Sequence, residues 1–324
     1  MGFERKNDKV FLRGLYMKGI ILINLGTPDN LELSSIKKYL KEFLSDDYVV
    51  DLPKLIQKIL VNFIIVPFRS KKTQEAYKSI WTKDGSPLII NTSLIKQKLI
   101  DKTDYPVEMA MRYQNPSIEK ALSSLKKRGC KEVIVLPLYP HYAEATFLTT
   151  KLEVEKINEN FGLKLSTINE FYNESGYINA LSGLIKRNLS GDFDYLLFSY
   201  HGIPKRQNVR TSPSYEDQVK TSSKLCAEKI GIPDHKWGVS FQSRIGPGWL
   251  EPFTDITLKE LPKKGIKKIA VVCPSFVADN LETLEEINIE ARETFLESGG
   301  MEFQYIPCLN DDDNWIEFLS EFAV

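Results

Sequence analysis

Three histidines occur in 324 residues, and one of them, His201, closes an apolar run in the stretch LLFSYHGIP at 196–204. An imidazole changes charge close to neutral pH, so it can accept a proton or ligate a transition metal there. The same residue also reads as a core imidazole bonded to backbone, with Gly-Ile-Pro following because the strand turns. Its place at the carboxyl end of a strand favours a site. A second group lies in FVADNLETLEEINIE, where Asp279, Glu282, Glu286 and Glu290 step by three or four residues, with Glu285 beside them and no basic residue before Arg292. Asp279 and Glu282 fit a capping box, and acids are favoured near a helix N-terminus. That account does not reach Glu286 and Glu290, because the dipole effect fades within a turn and like charges at i,i+4 cost roughly 0.2–0.5 kcal/mol per pair. The row reads either as a conduit for protons or divalent cations or as a solvated face.

The elements that must hold these groups alternate. Strand-like runs at 19–25, 107–113, 132–138, 163–168, 195–200, 237–243, 268–274 and 302–307 are separated by helical segments such as 117–128, 214–230 and 279–298. This is the pattern of an α/β protein with parallel sheets flanked by helices. MRYQNPSIEKALSSLKKRGCKEVIVLPLYP and FQSRIGPGWLEPFTDITLKELPKKGIKKIAVVCPSF both read strand, helix, Lys-Lys/Arg-Gly turn and strand ending at Pro, with LINLGTP and LLFSYHGIP as matching first strands. The expectation is two similar Rossmann-like domains, 17–155 and 156–310, preceded by an extension at 1–16 and followed by a C-terminal helix at 311–324 that packs back on the first domain. The generic βαβ pattern is the competing explanation of the echo. Open α/β sheets bind ligands beyond the carboxyl ends of their strands, which would gather Arg112, Tyr113, Tyr139 to His141, His201 and Pro274 to Phe276 in one interdomain cleft.

Lys plus Arg balances Asp plus Glu at 43 each, so no positive field collects a phosphate backbone and nucleic acid is not an expected partner. Four cysteines lie far apart, without the C-x-x-C spacing of zinc or iron–sulfur sites, which fits a reducing cytoplasm. The first residues lack the apolar core of an export signal. LIQKILVNFIIVPF at 55–68 is apolar but too short to span a bilayer, which needs about 20 residues. Burial in the core is its default. Flanking Lys58, Arg69, Lys71 and Lys72 also suit a lip resting on a membrane surface or gripping a greasy ligand. NLGTP and DGSP lack the spacing of a P-loop or dinucleotide fingerprint, and no serine sits in G-x-S-x-G.

Together the motifs ILINLGTPD, FLSDDYVVDLP, YKSIWTKDGSPL, VLPLYPHY, SYHGIPKR, VSFQSRIGPGWLEPFTDITLKEL, VVCPSFVADNLETLEEI and YIPCLND resemble the ferrochelatase family, from about Gly19 to the C-terminal segment. The resemblance implies the two-domain class II chelatase fold and insertion of Fe2+ into protoporphyrin IX, giving protohaem and two protons at the terminal step of haem synthesis. On it, His201 matches the family's active-site histidine and Glu282 its partner glutamate, both metal-contacting and proton-handling. Asp279 and Glu286 match members of the acidic row. Leu25, Ser86, Arg112, Tyr113, Tyr139, Trp249 and Phe276 fall at porphyrin-pocket positions, with Ser86 a candidate propionate contact. Iron is then a substrate, with no permanently bound cofactor and no iron–sulfur cluster, and the protein a cytoplasmic one able to sit peripherally on the inner face of the cell membrane. Departures occur at YAEATFLTT, at SPSY (212–215) and at Asn280, where animal relatives carry His. The rival readings are a chelatase acting on coproporphyrin or inserting another metal, and a non-enzymatic tetrapyrrole carrier.

Overall fold

Ile20, Ile21, Leu22 and Ile23 are all completely buried, which a strand achieves only when both faces of its sheet are covered. Alternate residues point to opposite faces. Ile20 and Leu22 join one apolar cluster, whereas Ile21 and Ile23 join another with Leu122 and Leu125 of the helix Ile118–Lys127. Burying each such side chain contributes about 1.5–3 kcal/mol. The computed structural model describes residues 18–323, so the extension at 1–16 lies outside the described residues.

Among the described residues eight strands form, each ending within two residues of its expected span: β1 (Lys18–Gly26), β2 (Val107–Tyr113), β3 (Glu132–Pro137), β4 (Lys164–Thr167), β5 (Tyr195–His201), β6 (Trp237–Gln242), β7 (Lys268–Val272) and β8 (Glu302–Tyr305). They make two four-stranded parallel sheets, ordered β2-β1-β3-β4 and β6-β5-β7-β8. The order is the same in both halves, so the repeat in the sequence is a repeat in topology. A boundary at residue 155 is corrected by the pairing: β4 lies beside β3, with Glu132 level with Lys164, and so belongs to the first sheet. Position 155 falls inside the helix Thr149–Asn158, whose periodicity continues across it.

Inner-face residues of both sheets (Ile20, Leu22, Leu136; Leu196, Phe198, Val272) share one continuous core. The helix Asp313–Phe322 closes it, sending Trp315 against Phe171 and Tyr177. Lys98 and Lys102 of the helix Pro87–Lys102 reach Asp313 and Glu317 at 2.9 and 2.6 Å, while Arg187 from the second half pairs with Asp312. The C-terminal helix therefore braces both halves.

Most of the apolar run at 55–68 stays outside the core. Residues Lys54–Ile59, a π-helical stretch Leu60–Ile65 and the helix Val66–Ile80 run continuously. Within 55–68 only Val61 and Val66 of the apolar residues are buried; Leu55, Phe63 and Phe68 are 72, 73 and 79% exposed. Among the described residues no helix is long and apolar enough to cross a membrane.

Candidate active site

A cleft of about 1340 Å³, counting its open mouth, lies beyond the carboxyl ends of both sheets. Strand ends supply its walls: Leu25 and Gly26 from β1, Tyr139 and His141 after β3, His201 from β5, and Ser275 and Phe276 after β7. The lining is mainly apolar, so polar groups in it act with little competition from water.

His201 is pinned at both ends. Its backbone N–H donates to Ser275 Oγ at 3.2 Å, and its carbonyl accepts from the Tyr215 hydroxyl at 2.9 Å. Its Nδ1 lies 2.7 Å from the Gly202 carbonyl, which can only accept, so Nδ1 carries a proton and, in the neutral ring, Nε2 offers the lone pair. Trp249 and Phe276 flank the ring, with centroids 6.5 and 6.3 Å away. Gly202 is a matter of space: a Cβ there would stand 2.9 Å from the Gln242 carbonyl oxygen.

Glu282 lines the same cleft. Burial pushes its carboxyl above the usual range, and the neighbouring His201 imidazole partly opposes this. The capping box is not the Asp279–Glu282 pair that spacing suggests. Asn280 is the cap, its side chain accepting from Thr283 N–H at 3.1 Å while Thr283 Oγ1 accepts from Asn280 N–H at 3.0 Å. That shift of one residue leaves the Glu282 side chain free of capping.

The remaining acids separate. Asp279 is not among the cleft's lining residues; its carboxylate accepts from Tyr305 O–H, Thr283 O–H, Asn310 Nδ2–H and the Cys308 N–H, and so ties the Glu282 turn to the loop after β8. Glu286 accepts from Ser243 N–H at 2.7 Å and lines a second, polar pocket with Arg244, Asp255 and Glu290. A π-helical turn at Glu286–Ala291 interrupts the 3.6-residue repeat, so 279–298 is not one regular helix and its acids do not share one face.

Leu25, Ser86, Tyr139, Trp249 and Phe276 all line the cleft. Arg112 and Tyr113 do not. Both turn to Asp46, with the Arg112 guanidinium at 2.6 Å and the Tyr113 hydroxyl at 2.9 Å, and Thr149 completes the knot. A nearly buried carboxylate needs such donors, and it draws them behind the wall. Of the groups that sequence spacing did not single out, Tyr77 lines the cleft, where burial and the charge of Glu282 both raise its hydroxyl. No local signal marks it, since 205 positions of chain separate two residues that only the fold brings together (282 less 77). His141 also lines the cleft, but burial drops it to about 3.

The family model described as ferrochelatase matches residues 17–324. Ferrochelatase of Pseudomonas fluorescens (strain Pf0-1) is 39% identical over 93% of this chain and 96% of its own, and that of Coxiella burnetii (strain CbuK_Q154) is 40% identical over 94% and 92%. The chain belongs to the ferrochelatase family. As a ferrochelatase-family member it is an enzyme of the ferro-lyase type, performing haem-type metal chelation on a porphyrin and a metal ion. Its fold is that of the chelatases: SirB from Bacillus subtilis, solved with Fe3+, superposes with a TM-score of 0.57 at 12% identity over 95% of this chain and 96% of that one. The ferrochelatase cleft thus combines two groups of opposite chemical habit, a histidine with an available lone pair and a carboxyl of raised proton affinity.

Proposed function

We propose that the chain inserts Fe2+ into protoporphyrin IX, releasing protohaem and two protons, as the terminal step of haem synthesis. The observation that supports this reading is the pairing of His201, its Nδ1 held by the Gly202 carbonyl so that Nε2 is the free ring nitrogen, and Glu282 on one apolar cleft. A flat porphyrin hides four nitrogens and two N–H groups in its plane, so metal entry requires puckering. Strain of about 1–5 kcal/mol can be drawn from remote contacts of a bound substrate, here apolar contact with Leu25, Tyr139, Trp249 and Phe276 and a hydrogen bond from Ser86 to a propionate. His201 Nε2 takes one pyrrole proton as Fe2+ reaches the exposed lone pair. The Glu282 carboxylate takes the second, and its raised proton affinity suits that role. Two N–H bonds break, Fe2+ replaces two protons, and the charge balances. Imidazole and carboxylate hold Fe2+ only moderately, which lets the ion pass to the ring. In this reading iron is a substrate only, with no resident cofactor and no iron–sulfur centre.

We further propose a cytoplasmic protein that rests peripherally on the inner face of the membrane through Leu55, Phe63 and Phe68. Their exposure and the greasy substrate support this. Anaerobic Fe2+ with protoporphyrin or coproporphyrin, followed by absorbance with and without protein, tests the reaction. Faster turnover of protoporphyrin is expected; a preference for coproporphyrin, or for cobalt or nickel over iron, overturns it. Co-sedimentation with anionic vesicles should be lost in the Phe63→Glu, Phe68→Glu double variant.

A further inference from the structure

Gln242 ends β6 level with His201 on β5 and is buried, and its carbonyl oxygen and both side-chain polar atoms are hydrogen-bonded. Its carbonyl oxygen accepts the Gly202 N–H at 2.8 Å, and Gly202 in turn receives the His201 Nδ1 proton. Its side-chain oxygen accepts from the Ser199 hydroxyl at 2.8 Å. The side-chain nitrogen donates to the Glu282 backbone carbonyl at 2.8 Å and reaches the Glu286 carboxylate at 3.4 Å. The amide has one orientation open to it: a backbone carbonyl only accepts, so the nitrogen must face Glu282. One residue therefore touches the peptide that orients the imidazole, the peptide that carries the partner acid, and the next acid outward.

We infer that Gln242 is a positioning residue that sets the separation and orientation of His201 and Glu282, an inference that rests on the function proposed above. It contributes no proton and no bond to substrate. Two strands, β5 and β6, already fix its backbone against His201, so its amide is a rigid arm that carries that register across to the turn after β7. Gly202 belongs to the same device, because a larger residue there would push against the Gln242 carbonyl.

The Gln242→Met variant keeps volume and removes the amide. Its kcat should fall by about 10- to 100-fold, the scale of a misplacement near 1 Å, with KM for porphyrin within about twofold. In Gln242→Glu, an ionised carboxylate cannot donate to Glu282 and repels Glu286, whereas the protonated form regains a donor; its activity relative to wild type at the same pH should rise as pH falls. A purely structural role would lower stability without that pH signature. Gly202→Ala, whose Cβ would meet the Gln242 carbonyl oxygen at 2.9 Å and Trp249 at 3.2 Å, should reproduce the loss of kcat. Near-normal kcat in Gln242→Met or Gly202→Ala, or a pH-independent deficit in Gln242→Glu, overturns the inference. Crystal structures of wild type and Gln242→Met give a readout that does not depend on the substrate: the separation between His201 and Glu282 should change by more than about 0.5 Å. An unchanged separation overturns the inference, while a wild type that inserts no Fe2+ into protoporphyrin defeats the proposed reaction alone.

Discussion

The two halves of the molecule share one scaffold and divide the work unequally. Both sheets place their first strand between the second and third, and after β2 and β6 alike a strand N–H donates to a loop proline carbonyl, Met111 to Pro116 at 2.7 Å and Phe241 to Pro252 at 2.8 Å. Both follow their third strand with a loop and a π-helical turn, Glu144–Leu148 in one and Glu286–Ala291 in the other. The first half spends its charges on structure. Arg112 is taken by Asp46, Glu144 by Arg210 across the cleft rim at 2.6 Å, and β1 ends in Gly26, where φ is +118° and a Cβ would strike the Tyr113 carbonyl oxygen at 2.1 Å. In the second half β5 ends in His201, and Glu282 faces the cleft without an Arg or Lys partner among its hydrogen-bonded or ion-paired neighbours in the described residues. The same backbone becomes a wall or a reactive floor according to whether its acids are neutralised by cations.

That contrast can be broken. His201→Ala should lower the insertion rate by about 10²–10⁴-fold, the usual range for a removed acid–base group, with porphyrin binding followed by Trp249 fluorescence nearly intact; near-normal turnover would remove the second half's claim to the chemistry. Asp46→Ala leaves Arg112 with Thr149 and the more distant Glu153 carboxylate at 3.9 Å and should cost about 3 kcal/mol of stability in denaturant unfolding, leaving the pH profile of turnover unmoved. A displaced profile would mean that the first half also titrates in the reaction. Glu282→Gln should reduce kcat by about 10²-fold, the low end of that range, and affinity far less, and an unchanged rate would return Glu282 to a structural role.

The smallest effect belongs to Glu285, which burial and the nearby acids push up to about 7. Below pH 4.5 it is protonated in both folded and unfolded chains, so Glu285→Gln should change nothing there. As pH rises toward 7 the unfolded chain ionises first, and stability drains from the wild type. The variant should then be more stable by about 1 kcal/mol at pH 8, allowing for solvent screening of a half-exposed group; equal melting at pH 8 would show the acid to be an ordinary solvated one.

Much of this was legible in order along the chain. Continuous β-branched and aliphatic runs between helix-length stretches located the eight strands of the described residues, because burial on both faces forces apolar runs such as GIILINL and YLLFSY. The end of such a run marked His201, whereas spacing gave Glu282 only a capping role and the family resemblance singled it out. Patterning could not assign β4 to its sheet, since pairing depends on which strand lies alongside, and 155 was misread as a boundary for that reason. Nor could it sort the acids.

Asp279, Glu282 and Glu286 are alike in a sequence and differ only in the donors that surround them: four for Asp279, a serine and a glutamine for Glu286, and for Glu282 an apolar cleft beside an imidazole. The sequence by itself determined the alternation of elements, the repeat, and the types of residue available for chemistry, because these follow from local periodicity and composition. Only the tertiary structure decided which of those residues meet, since proton affinity and reach are set by burial and by partners tens to hundreds of positions away.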